Sequence, residues 1–288
     1  MKIKHLLCFI ALCLFFTPGK AQQLSVMTLR NGATVYIWED KSKPDVFGMI
    51  AFKVGSVDDP EQYTGLAHYL EHVMFKGTQT IDALDWEKEK PIYEKIIAKY
   101  DERAALSDPA AREAVDKEIN DLTREAAQYA AGNEFSLLVD HMGGQGLNAS
   151  TGYDQTEYHN SFPPSQLEKW LEIYSERLID PVFRGFQTEL EAVYEEYNMY
   201  NDDRGSRMRE FIYEQAFGDH PYARPIIGLP EHLKNPQLSK LIDFYNTWYG
   251  PQNMSIILVG NIDAKEAIPM IRDKFERVPR RAEIHREK

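Results

Sequence analysis

Cysteine is almost missing from this chain. Cys8 and Cys13 are the only two in 288 residues, and both fall in an apolar run near the N-terminus. Everything downstream therefore has neither a disulfide framework nor a thiol nucleophile. Basic residues are also scarce, 33 Lys and Arg against 45 Asp and Glu, for a formal charge of −12. A surface of that sign disfavours nucleic acid and anionic membranes as partners. It is compatible with basic peptides, although an acidic balance also serves solubility alone. Beyond the N-terminal run there is no long hydrophobic stretch, and no internal repeat or low-complexity linker divides the chain.

The one apolar run, Leu6 to Phe16, follows Lys2 and Lys4 and precedes Gly19-Lys20-Ala21. This is the pattern of a secretory signal cleaved before Gln22, and it is too short to span a membrane. A lipoprotein signal does not fit, because Leu12 precedes Cys13 and the apolar run continues past it. The expectation is export, to a bacterial periplasm, without a stable membrane anchor. Removing residues 1–21 takes Lys2, Lys4 and Lys20 but no acidic residue, so the mature chain of 267 residues has charge −15. That length suits one large domain or two small ones.

What is present is chemical. In His68-Tyr69-Leu70-Glu71-His72 two histidines stand four residues apart with a glutamate directly before the second. On a helix, positions i and i+4 share a face, so both imidazoles reach one cation at about 2.0 Å while Glu71 stands beside them as a general base. The order is the inverse of the commoner His-Glu-x-x-His peptidase motif. A single helical histidine is usually structural. Here, at about 100° per residue, His68, Glu71 and His72 fall in one arc and Leu66, Leu70, Val73 and Met74 in the opposite one. The helix thus packs by one face and offers ligands by the other. Thr64 is the expected N-cap and Gly77 the stop, for about three turns.

A catalytic zinc site normally needs a third protein ligand. If Glu189 to Tyr200 is helical, Glu191, Glu195 and Asn198 form a solvated stripe. Glu189 and Glu196 lie instead within an apolar arc of Ala192, Val193, Met199 and Tyr200. A carboxylate buried there needs a partner. A cation answers that need, and so does an Arg or Lys from elsewhere.

The residues also resemble a family. Val54-Gly55-Ser56 and Gly65-Leu66-Ala67-His68-Tyr69-Leu70-Glu71-His72-Val73-Met74-Phe75-Lys76-Gly77-Thr78 look like the signature block of the pitrilysin/insulinase zinc metallopeptidases. Gly143-Gly144, Asn148-Ala149-Ser150-Thr151 and Thr156-Glu157-Tyr158 look like its edge-strand segment, and Glu189 to Glu196 like its distal-ligand helix. His220-Pro221-Tyr222, Ile227-Gly228 and Tyr249-Gly250-Pro251-Gln252-Asn253-Met254 are similar to later landmarks, so the resemblance covers most of the mature chain.

The resemblance implies one zinc ion held by His68, His72 and Glu196, with Glu71 as catalytic base and Glu189 as auxiliary carboxylate. It implies hydrolysis of a peptide substrate bound as an added strand along Asn148, Ala149, Ser150 and Thr151. It also implies a second α/β domain, or a partner subunit of the same family, that completes the active chamber. Only one copy of the pattern stands here, so the chain is expected to be a slow peptidase alone. The alternative is a non-catalytic peptide-binding or assembly subunit, which degraded ligand motifs would mark; all four chemical residues are in place.

Strands are expected at Ser25 to Arg30 and Ala33 to Trp38, a hairpin around Asn31-Gly32, then at Val46 to Val54 and Ser255 to Val259. A Ser165/Glu168 capping box, Asn235-Pro236 and Asp263 with Glu266 mark helix starts. Hairpins beside helices predict an α+β domain with a mostly antiparallel sheet flanked by helices. One departure from the family pattern is a charged helical hairpin inserted at about 83–132, turning at Ser107-Asp108-Pro109. Its apolar stripes are Ile92, Ile96, Ile97 and Val115, Ile119, Leu122, Tyr129. They look narrow enough for the hairpin to be excised with the core intact, whether it serves as a lid, a partner surface or a solvated ornament.

Overall fold

A computed structural model describes residues 23–281 and Ile284; the expected signal segment, 1–21, lies outside the described residues. The chain runs β1 (Gln23–Thr28), β2 (Thr34–Glu39), β3 (Val46–Phe52), α1 (Leu66–Val73), α2 (Trp86–Ala105), α3 (Pro109–Ala126), α4 (Glu134–His141), β4 (Gln145–Thr151), β5 (Thr156–Phe162), α5 (Leu167–Glu176), α6 (Phe186–Asp202), α7 (Arg204–Phe217), α8 (Pro230–Leu233), α9 (Leu238–Trp248), β6 (Met254–Gly260) and α10 (Ala264–Phe275).

The six strands form one sheet in the order β1-β2-β6-β3-β5-β4. Only the β2–β6 pair is parallel. The fold is thus α+β with a mostly antiparallel sheet. Strand β6, made near the end of the chain, enters between β2 and β3, so both ends of the described chain share one core. Period-2 alternation turns Val35, Ile37, Ile50, Phe52, Ile256 and Leu258 toward the helices, where all are buried. The opposite face is left apolar and open: Leu24, Val26, Tyr36, Trp38 and Val259 are each at least 36% exposed.

The local expectations hold unevenly. The β1–β2 connection is five residues, 29–33, rather than a two-residue turn, and the buried Asn31 amide donates to the carbonyls of Phe275 and Val278. Thr64 does not cap α1. Its hydroxyl is taken by His232 Nδ1 at 2.8 Å and the Leu229 N–H at 2.9 Å, and Gly65 is the cap, at φ +88°. A side chain at 65 would also drive a Cβ to 2.5 Å from the Ile227 carbonyl oxygen. Helix α1 is consequently eight residues long, nearer two turns than three. The Ser165/Glu168 capping box does not form, because Pro163-Pro164 start a 3-10 turn over Pro164–Gln166 and the chain enters α5 from that turn. Asn235 is drawn off by Arg112, and α9 starts at Leu238. Asp263 does cap α10, accepting the Lys265 N–H.

The helical hairpin is present as α2 and α3, each opened by an aspartate, Asp85 and Asp108, that accepts an N–H three residues on. It is not loosely attached. Ile92, Ile96, Tyr100, Val115 and Ile119 belong to the common core, and Tyr100 packs on Phe186, the first residue of α6, at 4.8 Å. Buried Glu89 holds Arg184 through two bonds, 2.6 and 2.8 Å, and Ser239 donates to Asp101.

Candidate active site

Helix α1 buries Leu66, Leu70, Val73 and Met74 and turns His68, Glu71 and His72 the other way, as its periodicity requires. Tyr69 on its flank donates to the Phe186 carbonyl and ties α1 to the start of α6. Across that junction α6 presents Glu196. His68 Nε2 and His72 Nε2 each stand 3.6 Å from Glu196 Oε2, and one ligating atom from each of the three residues lies within 4.8 Å of the others. Two imidazole nitrogens and one carboxylate oxygen are the donor set of a catalytic zinc, with room left for further ligands. The residues present therefore fit the ion.

Glu189 lies one helical layer away. Its Oε2 is 3.5 Å from His72 Nδ1, and its Oε1 is 2.5 Å from Lys76 Nζ. A carboxylate on Nδ1 keeps that nitrogen protonated and leaves Nε2 as the ligand. Glu195, next to Glu196 in sequence, points out beside Glu191 and Tyr194 into a separate groove.

The electrostatics follow from this crowding. Burial, reinforced by the charge on His72, pushes His68 down to about 4. Burial also works against charge on His72, but its bonds to Glu189 and Glu196 prevail and push it up to about 9. The bond from His72 holds Glu196 below the usual carboxylate range, helped by the charge of His68 and the Tyr200 hydroxyl. For Glu189, burial is outweighed by His72 and Lys76, which keep it low. The pocket thus favours positive charge where its acceptors converge. Glu71 differs: burial raises its carboxyl, only partly countered by the Thr151 hydroxyl, which donates to Oε2 at 2.5 Å.

These groups open onto a cleft of about 450 Å³ bounded on one side by Ala149, Ser150 and Thr151 of β4 and on the other by Ser206, Arg209 and Tyr213 of α7. β4 pairs with β5 alone and is the last strand of the sheet, so Asn148 to Thr151 do lie on a sheet edge among the described residues.

One expectation is corrected: the arc around Glu189 and Glu196 is not a buried apolar face. Val193 of that arc is buried, but Ala192 is exposed, Met199 is 72% and Tyr200 42% exposed, and Tyr200 lines the cleft beside Glu196. Sequence reasoning also missed Lys76 and Tyr200. Tyr200 stands four residues after Glu196 on α6, where helical spacing held the signal, whereas Lys76 reaches Glu189 from the turn that follows α1.

Residues 34–90 and 121–229 match the family model described as Insulinase (Peptidase family M16), and residues 237–288 match a second, Peptidase M16 inactive domain. The gap, 91–120, falls within the helical hairpin, and every residue of the site lies in the first match. Over 270 residues the chain is 25% identical to the probable zinc protease PqqL of Escherichia coli strain K12, covering 90% of this chain and 23% of that protein. The fold superimposes on a protease from Helicobacter pylori with a TM-score of 0.71 at 22% identity, over 92% of this chain and 52% of the other. It also superimposes on the first half of the periplasmic protease PqqL from Escherichia coli, with a TM-score of 0.68 at 25% identity over 92% and 49%. The chain thus spans about half of each of these solved chains and about a quarter of the curated relative. With the model matching well over half of its residues, ligating groups included, the chain belongs to the insulinase family of peptidases, M16.

Proposed function

We propose that this chain is the catalytic part of a zinc-dependent endopeptidase that hydrolyses extended peptides or unfolded segments, with one zinc ion held by His68, His72 and Glu196. The observation behind the reading is that two imidazole Nε2 atoms and Glu196 Oε2 converge beside a buried carboxylate, at the end of an open sheet edge. When bound, zinc polarises the scissile carbonyl and lowers the pKa of water toward about 7. Glu71 accepts the proton of the attacking water and returns it to the leaving amine as the C–N bond breaks. Its raised pKa brings it nearer neutrality, where one carboxyl can serve both transfers. Thr151 fixes one Glu71 oxygen so that the other is presented to the water. Glu189, held by Lys76, orients His72. The peptide adds as a strand along Asn148 to Thr151, since main-chain hydrogen bonds from an edge give affinity without demanding one sequence.

A second family domain or partner chain belongs to this reading. Its support is the share of the relatives' length that the chain covers and the apolar sheet face carrying Leu24, Val26, Tyr36, Trp38 and Val259. An uncovered patch of this kind is a protein-interaction surface far more often than a solvated one. Export to a periplasm is the matching location: the related PqqL is described as periplasmic, and among the described residues no helix is long and apolar enough to cross a membrane.

The test is cleavage of an unstructured peptide by residues 22–288, alone and with the second half of the same protein, before and after a chelator. Cleavage that the chelator stops and zinc restores supports the reading. Zinc binding with no cleavage under any of these conditions would favour a peptide-binding or assembly subunit instead.

A further inference from the structure

Helix α1 carries His68, Glu71 and His72 but has only eight residues, too few to be stable by itself, and its end groups need partners. Both ends meet a buried ionisable side chain. At the N-terminus Asp59, 5% exposed, accepts the Gly65 N–H on Oδ2 at 2.7 Å and the Ala67 N–H on Oδ1 at 2.9 Å. At the C-terminus Arg177, 2% exposed, donates from Nη2 to the Met74 carbonyl at 3.0 Å. The signs match the helix dipole, acid at the start and base at the end.

Neither side chain forms a salt bridge among the described residues, although Arg224 donates to the Asp59 carbonyl and its charge favours the ionised carboxylate. Arg177 has no carboxylate within salt-bridge reach among the described residues, and its Nε and Nη1 have no hydrogen-bond partner. Around it are rings, Phe135 at 4.4 Å, Tyr158 at 4.5 Å, Phe75 at 4.8 Å and Tyr174 at 5.5 Å. The rings hold the guanidinium by cation–π attraction, and its one hydrogen bond among the described residues goes to the end of α1. Asp59 is similar: burial pushes its carboxyl up to about 7 even though the Ala67 and Gly65 N–H groups and Arg224 favour the ionised form. Two costly buried charges at the two ends of one short helix call for a role that a hydrophobic side chain cannot fill.

We infer that Asp59 and Arg177 are positioning residues, a pair of buried polar clamps that fix α1 along its axis and so hold His68, Glu71 and His72 in ligating register against Glu196. This rests on the reading of those three residues and Glu196 as a zinc site. The clamps touch neither metal nor substrate. They act through the backbone of the helix, where a slip of one residue would move each imidazole by about 1.5 Å along the axis and about 100° around it.

The experiment measures zinc affinity of residues 22–288 by chelator competition, together with the unfolding midpoint of the zinc-free protein, in wild type, Asp59→Asn, Arg177→Met and Arg177→Lys. Ile271→Ala, in the core face of α10 and remote from the site, serves as a control that destabilises without touching α1. The clamp predicts that Asp59→Asn and Arg177→Met weaken zinc about 10-fold or more, the order expected when a charged hydrogen bond that holds the ligands in register is lost. Arg177→Met should weaken zinc more than Ile271→Ala does for the same fall in the zinc-free midpoint, since only the first frees the end of α1. Arg177→Lys, which keeps a charged donor, should recover part of the affinity, and Ile271→Ala should lower the midpoint with zinc affinity unchanged. If Arg177→Met does not fold, Asp59→Asn and Arg177→Lys decide by the same measurement. Affinities within twofold of wild type, or losses that track the midpoint as in Ile271→Ala, overturn the clamp. A wild-type chain that takes up no zinc overturns the site reading and the clamp with it, so the two failures are distinguishable.

Discussion

Glu71 and Glu196 are the residues whose roles can be separated most cleanly. Glu71→Gln keeps the shape of the side chain but removes its capacity to accept a proton, so hydrolysis should fall at least 100-fold while bound zinc stays at the wild-type level. Unchanged turnover in that variant removes Glu71 as the base. Glu196→Ala, His68→Ala and His72→Ala should each lose zinc, and Glu195→Ala should not, because Glu195 faces a different groove. Metal content across the four variants decides it, and equal loss at Glu195 contradicts the geometry. The motif residues were legible in the sequence because their chemistry lies within one helical turn. Tyr200 was within reach of the same spacing argument. Asp59 and Arg177 were not, since nothing local says that residues 15 before and 103 after Met74 meet the ends of one helix.

Among the elements, strand order, helix caps and the attachment of the helical hairpin are where sequence and structure part. Strand positions were legible from alternation, but the strand order was not, because β6 reaches its place between β2 and β3 by pairing across more than 200 residues. Cap positions failed at Thr64 and Ser165, where contacts with His232 and Leu229 or a Pro-Pro start overrode local preference. The hairpin was legible as two helices, but its narrow stripes understated its attachment. Excising residues 83–132, with Asp82 joined to Asn133 through a short Gly/Ser link, should uncover Phe186 and Leu238 and lower stability by about 3–6 kcal/mol, at about 1.5–3 kcal/mol for each apolar side chain returned to water. Chemical denaturation of the deletion measures this. A loss below 1 kcal/mol would mean the hairpin is an ornament after all. Zinc affinity should weaken in the same variant, since Phe186 opens the helix that presents Glu196.

For the whole molecule the question is what closes the cleft. One side of the active cleft and one face of the sheet are open to solvent, and positioning and oxyanion stabilisation each account for several kcal/mol of barrier lowering. Residues 22–288 alone should therefore bind zinc yet cleave an unstructured peptide slowly, with the rate rising when the second half or a self-associated partner is present. Rapid turnover by a monomer, its mass measured in the same solution, would refute this. Trp38→Glu on the open sheet face should weaken association with the second half without changing zinc content, because it places a charge in an apolar contact remote from the ligands.

The proposed zinc ion sits where His68, His72 and Glu196 converge. An anomalous difference map, recorded at the zinc absorption edge on crystals of residues 22–288, tests it directly. One peak per chain is expected, at about 2.0–2.2 Å from His68 Nε2, His72 Nε2 and a Glu196 carboxylate oxygen, with Glu189 outside bonding distance. No peak at that point, or a peak ligated by Glu189 in place of Glu196, would contradict it.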